Sequence, residues 1–336
     1  MHSINLEKYE LRTDMAIDLA EKNEGKIKQE TSEENGIKTT LMRLEKDNGL
    51  GKKEGTYITI EFGDITDTDI KENVSKTLTK ELKNILKTVN YDRNMKTLVI
   101  GLGNIKSTPD ALGPMVSNNV IVTKHLFDME VDVDEKFSCV STIYPGVTGS
   151  TGIETLSIIK GVVDETKPDL VIVVDALASS SLERINKSIQ LSTSGIMPGS
   201  GVGNKRMEIS NDTLNTPVIA IGIPTVVDAA VIVFDTINYM FKNYAYNKKL
   251  EHEKISKLVV KNVNYLKKDV EASYNDKKKL FGLLGELNND ELLKLTYEVL
   301  EPTGYNLMVT PKEVDFIMEK LSDIVSYAIN HTLHNI

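Results

Sequence analysis

The chain has 336 residues, with 40 basic and 49 acidic side chains, a formal net charge of −9, and 40% hydrophobic residues. That balance sets up no overall field toward nucleic acid or an anionic membrane, and the single cysteine, Cys139, rules out an intramolecular disulfide or a cysteine-built zinc cluster. The N-terminus lacks the apolar core of a signal peptide, and no run approaches the roughly 20 apolar residues of a membrane span. A reducing, cytoplasmic setting is expected.

In chain order, residues 1–55 are polar, with alternating segments around Ile27 and over Ile37–Leu44 separated by Asn35-Gly36, a pair that favours tight hairpin turns. They are expected to form an N-terminal hairpin embellishment. Tyr57–Phe62 then reads as a strand, and Ile70, Val74, Leu78, Leu82 and Leu86 recur at helical spacing over Asp67–Val89. The alternation continues with a strand at Thr97–Leu102, a helix from about Asp110 to Phe127, a strand at Phe137–Ile143 and a helix near Ile153–Val163. Apolar runs at Leu170–Val174 and Pro217–Ile221 and a short strand at Ser188–Ser192 complete the series. Continuous apolar runs suit strands buried on both faces. The expected fold class is α/β, a three-layer core over residues 56–245 whose mostly parallel sheet is flanked by helices.

Residues 246–336 read as a helical C-terminal region. Ile255, Leu258, Val259, Val263 and Leu266 form one stripe. Thr310-Pro311-Lys312-Glu313 combines a capping box with a first-turn proline, and Val314, Ile317, Met318, Leu321, Ile324 and Ala328 mark the buried face of the last helix. Residues 241–280 carry eleven lysines against five acids in an otherwise acidic chain, ordinarily a solvated helix face.

In open α/β sheets chemistry gathers at the carboxyl ends of the strands. The loops that stand out there are Gly101–Pro114, Asp175–Ala178 and Pro198–Arg206. A dinucleotide fingerprint would need glycine where Lys106 stands, and the 198–206 loop lacks the glycine–lysine–hydroxyl order of a phosphate loop. Neither motif is complete, so the glycines serve tight turns, or leave main chain exposed for an extended peptide to pair with.

Asp110 and Asp175 each follow a strand and could project into one crevice. Two neighbouring carboxylates do not both ionise cheaply, so one keeps a proton while the other activates water, as amide hydrolysis requires. The competing structural roles are a helix cap for Asp110 and satisfaction of strand-end donors for Asp175. Asp228 is a third candidate, better suited to a first-turn helix position. No Gly-x-Ser-x-Gly elbow supports a serine triad, and the five histidines make no metal-binding motif.

Several ordered blocks carry a resemblance. Thr108-Pro109-Asp110-Ala111-Leu112-Gly113-Pro114, Pro145-Gly146-Val147-Thr148-Gly149, Thr151–Thr155, Val174–Ala178, Pro198–Arg206, Gly222–Ala229 and the terminal Val309–Asp315 together resemble the germination proteases of spore-forming Firmicutes, almost end to end. The resemblance implies an endopeptidase that begins degradation of small acid-soluble spore proteins during germination. It further implies a zymogen that removes a propeptide, here residues 1–14, by cutting Asp14–Met15, leaving 15–55 as the embellishment. It assigns the catalytic aspartates to Asp110 and Asp175, and implies a cytoplasmic homotetramer of the forespore and spore core whose substrates arrive bound to DNA. No direct sequence-specific nucleic-acid binding and no membrane partner are expected. Gly199, Gly201 and Gly203 are candidate substrate contacts.

The family's fold is similar to that of hydrogenase maturation endopeptidases, which use a metal ion. The histidine completing that metal site has no counterpart in this sequence, so an aspartate mechanism with no metal or cofactor is expected. The alternatives are a metal-assisted endopeptidase and an inactive homologue that binds spore proteins. Ala178-Ser179-Ser180-Ser181 departs from the resemblance, which implies an arginine soon after the second aspartate.

Overall fold

The computed structural model describes residues 13–22, 27–129, 131–199, 207–252, 264–300 and 307–336. They belong to two compact units, one comprising residues 12–227 with 309–336 and the other residues 228–308. The expected boundary at 245/246 falls inside a helix, and the last helix belongs with the sheet.

The larger unit begins with α1 (Ala16–Lys22) and the hairpin β1 (Gln29–Glu34) and β2 (Ile37–Leu44). Its turn is Asn35-Gly36, both at positive φ as a two-residue hairpin requires. β3 (Gly55–Glu61) pairs antiparallel with β2, so the hairpin is an extension of the main sheet. α2 (Thr68–Thr88) starts at Asp67, whose carboxylate accepts from the N–H groups of Asp69 and Ile70.

There follow β4 (Thr97–Gly101), α3 (Leu112–Asn119), α4 (Lys124–Asp128), β5 (Val140–Ile143), α5 (Thr148–Thr151), α6 (Thr155–Thr166), β6 (Leu170–Ser179), β7 (Ser188–Ser192), α7 (Asn211–Leu214) and β8 (Val218–Asp228). The strand order is β1-β2-β3-β7-β8-β6-β4-β5. The run β8-β6-β4-β5 is parallel, and the remainder is antiparallel.

Alternation along the strands divides the core. Val99, Ile172, Val174, Ile219 and Ile221 face one side, where Leu78, Leu82 and Leu86 of α2, Val116 of α3 and the last helix pack. Leu98, Ile100, Val171 and Val173 face the other, against Leu156, Ile159 and Val163 of α6. These are the three layers expected.

Three local readings are corrected. The helix expected over Asp110–Phe127 is broken: Val120 is extended (φ −74°, ψ 133°), the Ile121 N–H donates to Asn330 Oδ1, and Thr123 is bonded through backbone and hydroxyl to Val140 and Ser138. The β-branched run Val120–Thr123 is tied to distant partners instead of continuing the helix. β6 does not stop at Val174; β8 pairs with it as far as Ser179, so Asp175 lies within a strand. The capping box at Thr310 does not form: the Thr310 hydroxyl is buried without a hydrogen bond, and the last helix starts only at Val314, whose N–H donates to Pro311 O.

In the second unit, α8 (Ala229–His252) is followed by α9 (Tyr274–Phe281) and α10 (Asn289–Leu300). Lys248 pairs with Asp276 at 2.7 Å, and the Phe241 and Phe281 rings meet edge to face. Most of the expected 255–266 stripe lies outside the described residues. The last helix, α11 (Val314–Leu333), closes the larger unit, burying Val314, Met318, Leu321, Ile324 and Ala328 as its spacing predicts.

Candidate active site

β4 ends at Gly101, paired with Val174, whereas β6 runs on for five residues beside β8 alone. Past Val174, the edge of β6 that had faced β4 is given up by that strand, and the polypeptide turns back over it. The Leu102 N–H donates to Val174 O at 2.8 Å, and the Asn104 N–H to Asp110 O at 2.9 Å. Gly103 makes this turn at φ +113°, where a Cβ would stand 2.0 Å from Asp110 O and 3.1 Å from Asp110 Oδ1. Gly113 is as constrained: a Cβ there would lie 2.3 Å from Leu102 O and 2.6 Å from Val174 O.

Thr225 on β8 donates its hydroxyl to Pro109 O at 2.6 Å. The Thr108–Gly113 turn is thereby wedged against the end of β4 and against the residue that precedes Asp175. Glycine is required by close backbone approach, not by a phosphate. Asp175 is 5% exposed and its Oδ1 accepts from the Ala176 N–H at 2.9 Å; Asp110 is half-buried. Asp110 sits in the turn that follows β4, as the sequence suggested, whereas Asp175 does not follow its strand but lies within it.

The N-terminal segment enters the same neighbourhood. The Asp14 N–H donates to Ala178 O, and the Ala178 N–H donates to Asp14 Oδ2, each at 2.9 Å. Residue 14 thus occupies the β6 edge three residues beyond Asp175. Met15 is fully buried, packed with Met42, Leu44, Leu50, Tyr57 and Leu177. The Met15 N–H donates to Thr13 Oγ1 at 3.1 Å, and the Ala16 N–H to Gln190 Oε1 at 2.7 Å. The Asp14 carbonyl oxygen accepts from Lys52 Nζ at 3.0 Å and Gln190 Nε2 at 3.4 Å. Burial pushes the pKa of Lys52 below its ordinary value, partly offset by Asp14 and Asp18.

Asp18 fixes the segment from its other end. Its Oδ2 accepts from Thr13 Oγ1 (2.6 Å), the Ser180 N–H (2.7 Å) and Ser179 Oγ (2.9 Å), and its Oδ1 pairs with Arg184 at 2.7 Å. Arg184 also meets Glu61 at 3.0 Å and Glu21. Burial lowers the pKa of the guanidinium, and Asp18, Glu21 and Glu61 more than offset this, so it stays above its ordinary value. Burying these charges is tolerable because each is paired and hydrogen-bonded.

Lys52, Gln190, Asp18 and Arg184 escaped the sequence reading. Each acts through a partner far away in sequence, and none sits in a motif.

Asp228 is buried as the last residue of β8, and its Oδ1 accepts from the Ala230 N–H at 2.8 Å, so it precedes α8 and caps it instead of standing in its first turn. Gly199 is in a turn at φ +73°, while Gly201 and Gly203 fall outside the described residues. Burial raises the pKa of the Cys139 thiol, away from the thiolate form. Among the described residues no three His, Cys, Asp or Glu side chains are grouped as metal ligands. No described helix is long and apolar enough to cross a membrane.

Comparison with known proteins places the chain in a class of peptidases: residues 5–336 match the family described as germination protease. The germination protease of Bacillus licheniformis is 44% identical over 351 residues, covering 98% of this chain and 95% of its own. That of Bacillus cereus is 43% identical over 352 residues, covering 99% and 96%. Among solved structures, the [NiFe] hydrogenase maturation protease HycI from Thermococcus kodakarensis overlaps 39% of this chain and 74% of its own, at 18% identity and a TM-score of 0.25. The chain belongs to the germination protease family.

Proposed function

We propose that this chain is made as a zymogen, cuts itself between Asp14 and Met15, and is then an endopeptidase that begins the breakdown of small acid-soluble spore proteins during germination. The observation that carries this reading is the seating of the bond: Asp14 is hydrogen-bonded to Ala178 on the strand that holds Asp175, three residues away. An extended segment paired to a strand edge is how a sheet commonly presents a peptide. Thr13 and Asp14 then use the edge that another chain would need, and this occupation would keep the uncut chain inactive.

Asp110 and Asp175 are the proposed catalytic pair. One carboxylate takes a proton from water as the oxygen attacks the scissile carbonyl, and the other, protonated, supplies a proton to the leaving nitrogen. The reading extends to a cytoplasmic homotetramer in the forespore and spore core that takes DNA-bound spore proteins as substrates, with the 199–203 glycines pairing with substrate main chain.

The test is to incubate the purified chain with a small acid-soluble spore protein and map both sets of cuts by mass. The wild type is expected to lose residues 1–14 and to cleave the spore protein. Asp110→Asn and Asp175→Asn should do neither while melting near the wild-type temperature; full activity in either variant removes the pair.

A further inference from the structure

Lys52 lies in the loop between β2 and β3, which is shaped by its own hydrogen bonds. Asn48 Nδ2 donates to Glu45 O and Lys52 O, both at 2.8 Å, and the Leu50 N–H donates to Asn48 Oδ1 at 3.0 Å. Leu50 from this loop packs against Met15. The adjacent lysine is committed elsewhere: Lys53 Nζ meets Glu208 at 2.9 Å and Asp212 at 2.5 Å. Lys52 Nζ instead reaches the main chain, at 3.0 Å from Asp14 O and 3.3 Å from Thr13 O.

Gln190 has its orientation fixed by opposite demands on its two ends. The Ala16 N–H needs an acceptor, so the amide oxygen faces it at 2.7 Å and the amide nitrogen is left to face Asp14 O at 3.4 Å. One carbonyl oxygen, that of the residue before Met15, therefore collects an ammonium and an amide donor.

We propose that Lys52 and Gln190 form the oxyanion site for cleavage of the Asp14–Met15 bond. The proposal rests on the reading that this bond is the one cut. When water attacks the Asp14 carbonyl carbon, a C–O bond forms and the π pair of the carbonyl moves onto its oxygen, while the water proton passes to a carboxylate of the aspartate pair. The oxygen then carries the negative charge, and the ammonium and amide donors already face it. Collapse restores the carbonyl and breaks the C–N bond as the Met15 nitrogen takes up the proton held by the other, protonated carboxylate of the pair, leaving a carboxyl group on Asp14 and an amine on Met15. An ammonium with reduced access to water acts on such a charge more strongly than a hydrated one. The 3.4 Å amide contact is a ground-state distance, of the kind that shortens as charge develops.

The experiment follows first-order loss of residues 1–14 by intact mass in the full chain and in Lys52→Met, Lys52→Arg and Gln190→Leu, with melting temperatures alongside. Removal of one such donor costs roughly 10²–10³-fold in rate in other hydrolases. Lys52→Met is expected to slow self-cleavage by about that factor, Gln190→Leu to slow it less, and Lys52→Arg to recover at least tenfold (roughly) over Lys52→Met because it keeps a cationic donor. A role confined to anchoring the segment would lower the melting temperature without this order of rates.

Self-cleavage of Lys52→Met at the wild-type rate overturns the proposal, as does a Lys52→Arg rate no faster than that of Lys52→Met. Should Lys52→Met fail to fold, Lys52→Gln decides in its place: a slowed rate supports the assignment and a wild-type rate overturns it. Failure of the wild type to cut at Asp14–Met15 would instead strike the reading of the bond itself.

Discussion

The main chain of Ala178 and residue Asp14 exchange two hydrogen bonds, N–H to carbonyl in one direction and N–H to carboxylate in the other, both at 2.9 Å. The Ala178 N–H thus reads an acidic side chain directly. Asp14→Ala would leave that donor without its carboxylate partner, at a cost of about 1–3 kcal/mol. Faster hydrogen exchange across residues 13–22, with slower self-cleavage, is the expected outcome. Asp14→Asn, which keeps an acceptor oxygen, should fall between it and the wild type.

Arg184 and Asp18 are a buried pair, with side chains 8% and 1% exposed. Arg184→Ala strands the Asp18 carboxylate and should destabilise the fold by about 3–5 kcal/mol, read by urea denaturation. The double variant Arg184→Met/Asp18→Leu removes both charges and should recover a large part of that loss. A double variant as weak as the single one would show that packing around the guanidinium matters more than its charge.

His334 provides a pH-dependent contribution to stability. Its Nδ1 accepts from the Ser138 N–H and its Nε2–H donates to Ile121 O, both at 3.1 Å, an arrangement that only the neutral ring satisfies. Burial pushes its pKa below the ordinary value; the bond to Ile121 opposes the shift and the charge of Arg93 adds to it. The unfolded chain therefore takes up the proton first, and stability from this site is present above about pH 6.5 and declines as pH falls through the histidine range. Melting at pH 5 and pH 7.5 should show this loss in the wild type and less of it in His334→Gln.

Gly113 tests the wedge between β4 and β6. A methyl group there would meet backbone atoms of Leu102 and Val174 at 2.3–2.6 Å, and backbone cannot yield as a side-chain tip would. Gly113→Ala should destabilise by about 1–3 kcal/mol and depress self-cleavage more than its melting temperature alone explains, because the shift falls on the turn carrying Asp110. Gly161→Ala, inside α6 with nothing within 4 Å of the added carbon, is the control: it should leave self-cleavage unchanged and raise stability by about 1 kcal/mol at most through helix propensity.

An aspartate pair working without metal predicts that a chelator leaves the rate of self-cleavage unaltered. Loss of activity on dialysis against chelator, restored by one divalent ion, would favour the metal-assisted alternative.

Local chemistry was readable wherever it decided the outcome. The Asn35-Gly36 turn, the α2 stripe from Val74 to Leu86 and the α11 stripe from Val314 to Ala328 follow from turn preference and helical period. β6 beyond Val174 was not readable, because Asp-Ala-Leu-Ala-Ser has no strand-like alternation and is extended through its pairing with β8. Nor was the break at Val120, which depends on Asn330 more than 200 residues away. Asp110 and Asp175 stood out in the sequence because carboxylates that come after apolar runs are conspicuous. Lys52 and Gln190 did not, since a lysine in a polar loop and a glutamine in a short strand acquire meaning only once Asp14 lies against them.

Met15 has no exposed surface, and its N–H is bonded to the hydroxyl of Thr13. A cut before Met15 would carry that hydroxyl away and turn the buried amide into a charged terminal amine at the mouth of α1, where the helix dipole disfavours a cation. The uncut arrangement of residues 15–22 would then be untenable for the product, which must expose its new end to water or draw it toward Asp18, one turn along the helix. Hydrolysis at this bond would work as a ratchet, because the severed chain cannot settle back into the conformation that was cut.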